Sequence, residues 1–119
     1  WPLHCIAGEA GAQYHENLDS SLVDIHIKKG QDANGYSIFD GVDEQGQSFA
    51  ELVKALGIEK VDVVGIATDY CVRASSLDAQ KHGLEVRVIT SLTAGVDQQS
   101  TENAIDEMVD SGVDVVPVF

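Results

Sequence analysis

"KVDVVGIATDYCVRASSLDAQKHG", residues 60–83, decides the fold. After Asp62 the run to Ala67 is nearly continuously apolar, the signature of a parallel strand buried on both faces. A polar turn follows. Residues 69–82 then read as a helix, stopped by Gly83. Thr68 and Asp69 are both suitable N-caps for that helix. Its face of Ala74, Ser75, Ser76 and Ala79 is small enough to let it approach a sheet closely.

The same alternation continues downstream. Residues 84–89, "LEVRVI", read as the next strand and residues 99–110 as a helix with Ala104, Ile105 and Met108 on one face. Residues 113–118 read as a last strand. Upstream, residues 48–56 carry helical spacing at Phe49, Leu52, Val53 and Leu56, with Gly57 as the stop. Residues 22–28, "LVDIHIK", alternate apolar and polar and predict a strand. Residues 1–20 read as loop, and 30–47 as a long loop of the kind that serves function. Strand–helix alternation implies a single α/β domain with a parallel sheet and right-handed crossovers. Ligands of such sheets bind beyond the carboxyl ends of the strands.

Cys71 falls just past one such end, in the first turn of a helix. Unpaired backbone N–H groups and the helix dipole favour negative charge there, as on a thiolate. The same N–H groups can hold an oxyanion. Free cysteines commonly just pack, so packing and attack both stay open for Cys71. Cys5, in a proline-containing loop, reads as a packing residue.

The 119 residues carry 44% hydrophobic side chains, too many for a disordered chain, and a net charge of −13. So acidic a surface argues against nucleic acid and anionic membranes as partners. No apolar run is long enough to cross a bilayer. Two cysteines without a dense spacing pattern point to a reducing compartment, most simply the cytoplasm. A homo-oligomer is left open.

The segment "VDVVGIATDYCVRASSLDA" resembles the nucleophile segment of the nicotinamidases (pyrazinamidase type) within the isochorismatase-like cysteine hydrolases. "WPLHCIAGEAGAQYH" is similar to that family's WP-x-HC segment, and "KKG" at 28–30, "YSIFDG" at 36–41 and "SLTAGV" at 91–96 follow in family order. The combination is specific where each piece alone is weak. The resemblance implies hydrolysis of nicotinamide to nicotinate and ammonia by a Cys–Asp–Lys triad with a bound divalent metal, whether zinc, iron or manganese. It assigns Cys71 as nucleophile, Lys29 rather than Lys28 as the triad lysine, and the amides of Ala67 and Cys71 as oxyanion hole. It also implies a cis Ile66–Ala67 peptide, His4 as one metal ligand, and Trp1, Tyr36 and Tyr70 at the substrate. Tyr70 stands where some relatives carry histidine. His15, His26 and His82 match no ligand position.

The resemblance further implies a three-layer α/β/α fold with strand order 3-2-1-4-5-6. Residues 22–28 are then strand 3, and 60–67, 84–89 and 113–118 are strands 4, 5 and 6. The family's triad aspartate, its other metal ligands and its strands 1 and 2 precede the WP-x-HC segment, where this chain begins. Trp1 is not a start methionine, so the expectation is a C-terminal part, incomplete and inactive by itself. Without strands 1 and 2, strand 60–67 would stand as an exposed apolar edge. Competing expectations are another amidase or isochorismatase-like hydrolase, and a non-catalytic domain of the same fold.

Overall fold

Three parallel strands form the sheet, in the spatial order β1-β2-β3, with β1 at Lys60–Ile66, β2 at Glu85–Ala94 and β3 at Asp114–Val116. This is the order implied for strands 4, 5 and 6. The computed structural model describes residues 1–31 and 34–119. Asp32 and Ala33, within the long loop expected at 30–47, lie outside the described residues.

Helix α1 (Phe49–Leu56) starts where Ser48 Oγ accepts from the Glu51 N–H at 3.2 Å, and ends at Gly57, whose φ of 65° few other residues adopt cheaply. Helix α2 (Arg73–Lys81) is preceded by one wide, π-type turn, Thr68–Val72. Helix α3 (Gln98–Asp110) is capped by Asp97, which accepts from the Ser100 N–H at 3.0 Å. Side chains from all three helices meet Val61, Val63, Val86, Val88 and Val115 in one core. Met108 and Val88 are wholly buried there, and Ala79 of α2 is nearly so. The small face of α2 thus does what its composition suggested. An Arg73–Glu107 fork, with N···O distances of 2.7 and 2.8 Å, ties α2 to α3. The described helices contribute to this one core, so the chain supplies a helical layer and a sheet layer of the three-layer α/β/α fold.

Several expectations are corrected. Residues 22–28 form no strand: Ser20–Leu22 is a short 3-10 turn, and only Lys28 pairs, in an isolated antiparallel bridge to Val42. A strand exists through its ladder, and among the described residues no sheet strand pairs with this segment. Strand β1 is not buried on both faces. Val61 and Val63 pack on the core, while Val64 and Ile66, on the other face, remain 49% and 76% exposed. Among the described residues β1 pairs only with β2, so it is the edge strand that the expectation named. Strand β2 runs five residues beyond Ile89, because after an irregularity between Val63 and Gly65 it pairs again at Gly65–Thr93 and Ile66–Ala94. Strand β3 stops at Val116, before Pro117, which has no N–H to donate. Neither Thr68 nor Asp69 caps its own helix; both side chains turn toward the β2–α3 segment instead. Cys5 is exposed with φ of 48°, not packed.

Candidate active site

The site grows from the turn at the end of β1. The Ile66–Ala67 peptide is cis, as the resemblance implied. The Ala67 carbonyl then accepts from the N–H groups of both Tyr70 and Val72, at 3.1 and 3.0 Å, which winds the chain into the wide turn. Such turns recur at functional sites because they displace side chains from the regular helical register. Thr68, Asp69 and Val72 are buried, whereas Cys71 is half-buried.

Lys29 reaches this thiol from 42 positions upstream: its Nζ lies 3.3 Å from Cys71 Sγ. Three local features bring it there. Lys28 and Val42 exchange backbone hydrogen bonds at 2.9 and 3.1 Å. Gly41 crosses so close that a Cβ on it would meet Ile27 Cγ2 at 2.7 Å and the Lys28 carbonyl oxygen at 3.0 Å. The N–H of Ile38, the first residue of the 3-10 turn that Gly41 ends, donates to Ser75 Oγ on α2 at 2.9 Å. The "YSIFDG" segment therefore lashes the lysine-bearing segment to the helix that follows the cysteine. Lys28 is exposed and Lys29 half-buried, which separates the two lysines as the resemblance did. Gly30, at φ 76°, lets the chain turn immediately after Lys29.

An aromatic wall stands beside the turn. Trp1 Nε1 donates to Tyr36 Oη at 2.6 Å, and the Trp1 ring meets Tyr70 edge-on at 4.9 Å between centroids. Tyr36 and Tyr70 are 5.3 Å apart. The three residues assigned to the substrate thus converge. Tyr36 and Tyr70 also line a cleft of about 350 Å³ with Arg73, Asn103 and Glu107. A larger cleft, about 660 Å³, lies at the opposite, amino-terminal ends of β1 and β2, around Lys60, Glu85 and Arg87.

His4 sits 6.1 Å from the Trp1 ring, and its Nδ1 is 2.7 Å from the Pro2 carbonyl oxygen. A carbonyl only accepts, so Nδ1 carries the hydrogen and the neutral ring offers the Nε2 lone pair, the form that binds metals. One imidazole is not a metal site. Among the described residues no three His, Cys, Asp or Glu side chains converge to hold an ion. The residues present do not by themselves fit a catalytic metal, which generally takes about three protein ligands.

Asp69 does not serve as the missing acid. Its carboxylate is 7% exposed and accepts from the N–H groups of Val96 (3.0 Å) and Asp97 (3.2 Å) and from the Ser100 hydroxyl. Burial pushes this carboxyl up, but the hydrogen bonds from Ser100, Val96 and Asp97 together outweigh it and hold it below the usual carboxylate value. The sequence reading missed this role; Arg73, four residues on, is the partner the sequence offers Asp69, but it pairs with Glu107 instead. A depressed carboxyl stabilises the fold above its unfolded-state value, and that contribution disappears as pH falls through the folded-state value. The stability gap between the parent and Asp69→Asn should therefore be full at neutral pH and close as pH drops below about 4. Urea midpoints measured across that range check it; a gap that stays constant would contradict it.

A family model described as the isochorismatase domain matches residues 1–118. The chain belongs to the isochorismatase family. Among relatives of this isochorismatase-family chain, the nicotinamidase/pyrazinamidase of Mycobacterium tuberculosis is 44% identical over 98% of the chain and 62% of the relative. The Escherichia coli nicotinamidase is 36% identical over 87% of the chain and 50% of the relative. Among solved structures, that of PnC1 from L. infantum in complex with nicotinate superposes with a TM-score of 0.86 at 38% identity, covering 98% of the chain and 60% of that protein. The pyrazinamidase of Pyrococcus horikoshii in complex with zinc gives 0.80 at 34% identity, covering 100% and 63%. The chain spans between 50% and 62% of the length of the relatives it matches.

Proposed function

We propose that this chain carries the nucleophile and substrate wall of a nicotinamidase, an amidohydrolase that converts nicotinamide to nicotinate and ammonia. The observation that carries the reading is the 3.3 Å approach of Lys29 to Cys71, between residues far apart in sequence. An ammonium at that distance balances the charge of an attacking thiolate. The relatives' nicotinamidase activity and the nicotinate held by the L. infantum protein support the pyridine carboxamide as substrate. The wall of Trp1, Tyr36 and Tyr70 suits a flat heteroaromatic ring. An acidic surface favours a small, uncharged substrate over nucleic acid. We place the protein in the cytoplasm on its cysteine usage.

In this reading the Cys71 thiolate attacks the carboxamide carbon, forming a C–S bond and moving the carbonyl π electrons onto oxygen. The backbone N–H groups of Ala67 and Cys71 are assigned to that oxyanion. Collapse breaks the C–N bond, and the nitrogen leaves as ammonia, carrying the proton the thiol gave up. Water then splits the thioester to nicotinate and free thiol. The carboxylate that relays the proton, and the ligands joining His4 around a divalent metal, are assigned to residues outside this chain. The metal, in the family's manner zinc, iron or manganese, would orient the ring.

Two measurements test the division of labour. The 119-residue chain alone should release no ammonia from nicotinamide. It should also show no tight stoichiometric zinc binding, because one imidazole is too few ligands. Calorimetric titration with zinc checks the second point; tight one-to-one binding would contradict the assignment of the remaining ligands elsewhere.

A further inference from the structure

The "SLTAGV" segment has no place in the chemistry above, yet the nucleophile turn is fastened to it twice. Thr68 and Asp69 lie between Ala67 and Cys71, the two residues whose amides are assigned to the oxyanion. Both are buried, at 2% and 7% exposure. Thr68 Oγ1 donates to Thr93 Oγ1 at 2.9 Å, and Thr93 Oγ1 donates on to the Thr90 carbonyl at 3.1 Å. Asp69 accepts from the N–H groups of Val96 and Asp97 and from Ser100 Oγ, at the amino end of α3. A carboxylate there also meets the positive end of the α3 dipole. Consecutive buried polar side chains thus leave the turn in the same direction, and each finds its partners in residues 90–100.

We infer that Asp69, with Thr68 beside it, is a positioning residue for the reaction: it clamps the β2–α3 segment to the nucleophile turn and so fixes Cys71 against Lys29 and the oxyanion amides. This rests on the reading of Cys71 as nucleophile. The carboxylate suits the task because all three of its partners donate. An asparagine would turn an NH2 group toward at least one N–H or O–H donor, leaving unmatched donors in a buried site.

Charge and position make opposite predictions here. As a mere negative neighbour, Asp69 opposes formation of a thiolate two residues away, and Asp69→Asn would speed alkylation of Cys71. As a clamp, its loss lets the thiol drift from Lys29 and slows alkylation. The experiment takes the intact protein and follows iodoacetamide labelling of Cys71 by peptide mapping at neutral pH, together with steady-state ammonia release from nicotinamide. Asp69→Asn should slow Cys71 labelling several-fold and lower kcat about tenfold or more, with KM within about threefold, since the aromatic wall is untouched. Ser100→Ala, which removes one of three donors, should do the same to a smaller extent, about threefold in kcat. If Asp69→Asn does not fold, the Ser100→Ala result decides. Labelling that is unchanged or faster, or kcat unchanged, would overturn the inference. Labelling needs no substrate, so a parent protein inert toward nicotinamide would defeat the functional reading while the labelling comparison still judges the clamp.

Discussion

Cys71→Ala in the intact protein is expected to reduce ammonia release from nicotinamide by about four orders of magnitude or more, to the level that binding and oxyanion contacts alone sustain. Cys5→Ala should cost far less, because Cys5, although it adjoins His4, is exposed and has no assigned part in the reaction. Exposure alone predicts the reverse order of reactivity, because Cys5 is exposed and Cys71 half-buried. The difference lies in surroundings: Cys71 has the Lys29 ammonium at 3.3 Å and stands in the wide turn that leads into α2. Iodoacetamide labelling should accordingly favour Cys71 over Cys5. Preferential labelling of Cys5, with Cys71 untouched, would show that the turn confers no reactivity.

Lys29→Ala should cost about two to three orders of magnitude in kcat with little change in the thermal midpoint. The lysine is half-buried, and its ammonium donates to the thiol sulfur. Its segment is held by backbone pairing between Lys28 and Val42 and by the close crossing at Gly41, neither of which uses the Lys29 side chain. Fold and function therefore separate at this position. Lys28→Ala, one residue away and exposed, provides the control and should change kcat little. Lys29→Ala activity within a few-fold of the parent would mean that the contact is incidental.

The parts of the fold that were legible in the sequence are those whose signals are local. The helix at 49–56 announced itself by the spacing of Phe49, Leu52, Val53 and Leu56 and by Gly57, which ends it as its type suggests. The strands expected at 60–67, 84–89 and 113–118 are present at 60–66, 85–94 and 114–116, their apolar residues packing against the helices; only the extension of β2 past Ile89 had no local signal. Residues 22–28 misled because alternation describes a face and not a partner; the segment has the pattern of a strand and no ladder to join. The two-sided burial expected of 60–67 failed because the helices cover only the face of Val61 and Val63, and composition cannot reveal whether the other face, that of Val64 and Ile66, is covered.

At the site, position after a strand left packing and attack both open for Cys71, and only the resemblance selected Lys29 over Lys28. No local rule links residues 42 positions apart; the link is made by Gly41 and Ser75, whose importance lies in what passes close to them. Asp69 was misjudged as a cap because aspartate in a first turn ordinarily serves its own helix. Here it serves the amino end of the next one, a choice set by the sheet, which brings the end of β2 beside the end of β1.

The central claim is that Cys71 attacks the carboxamide. Rapid acid quench of the intact protein during turnover of nicotinamide, followed by peptide mass spectrometry, tests it most directly. The account predicts a nicotinoyl adduct on the peptide containing Cys71, absent from Cys71→Ala and cleaved by hydroxylamine as a thioester is. A nicotinoyl adduct on another residue, or sustained hydrolysis by Cys71→Ala, would contradict it.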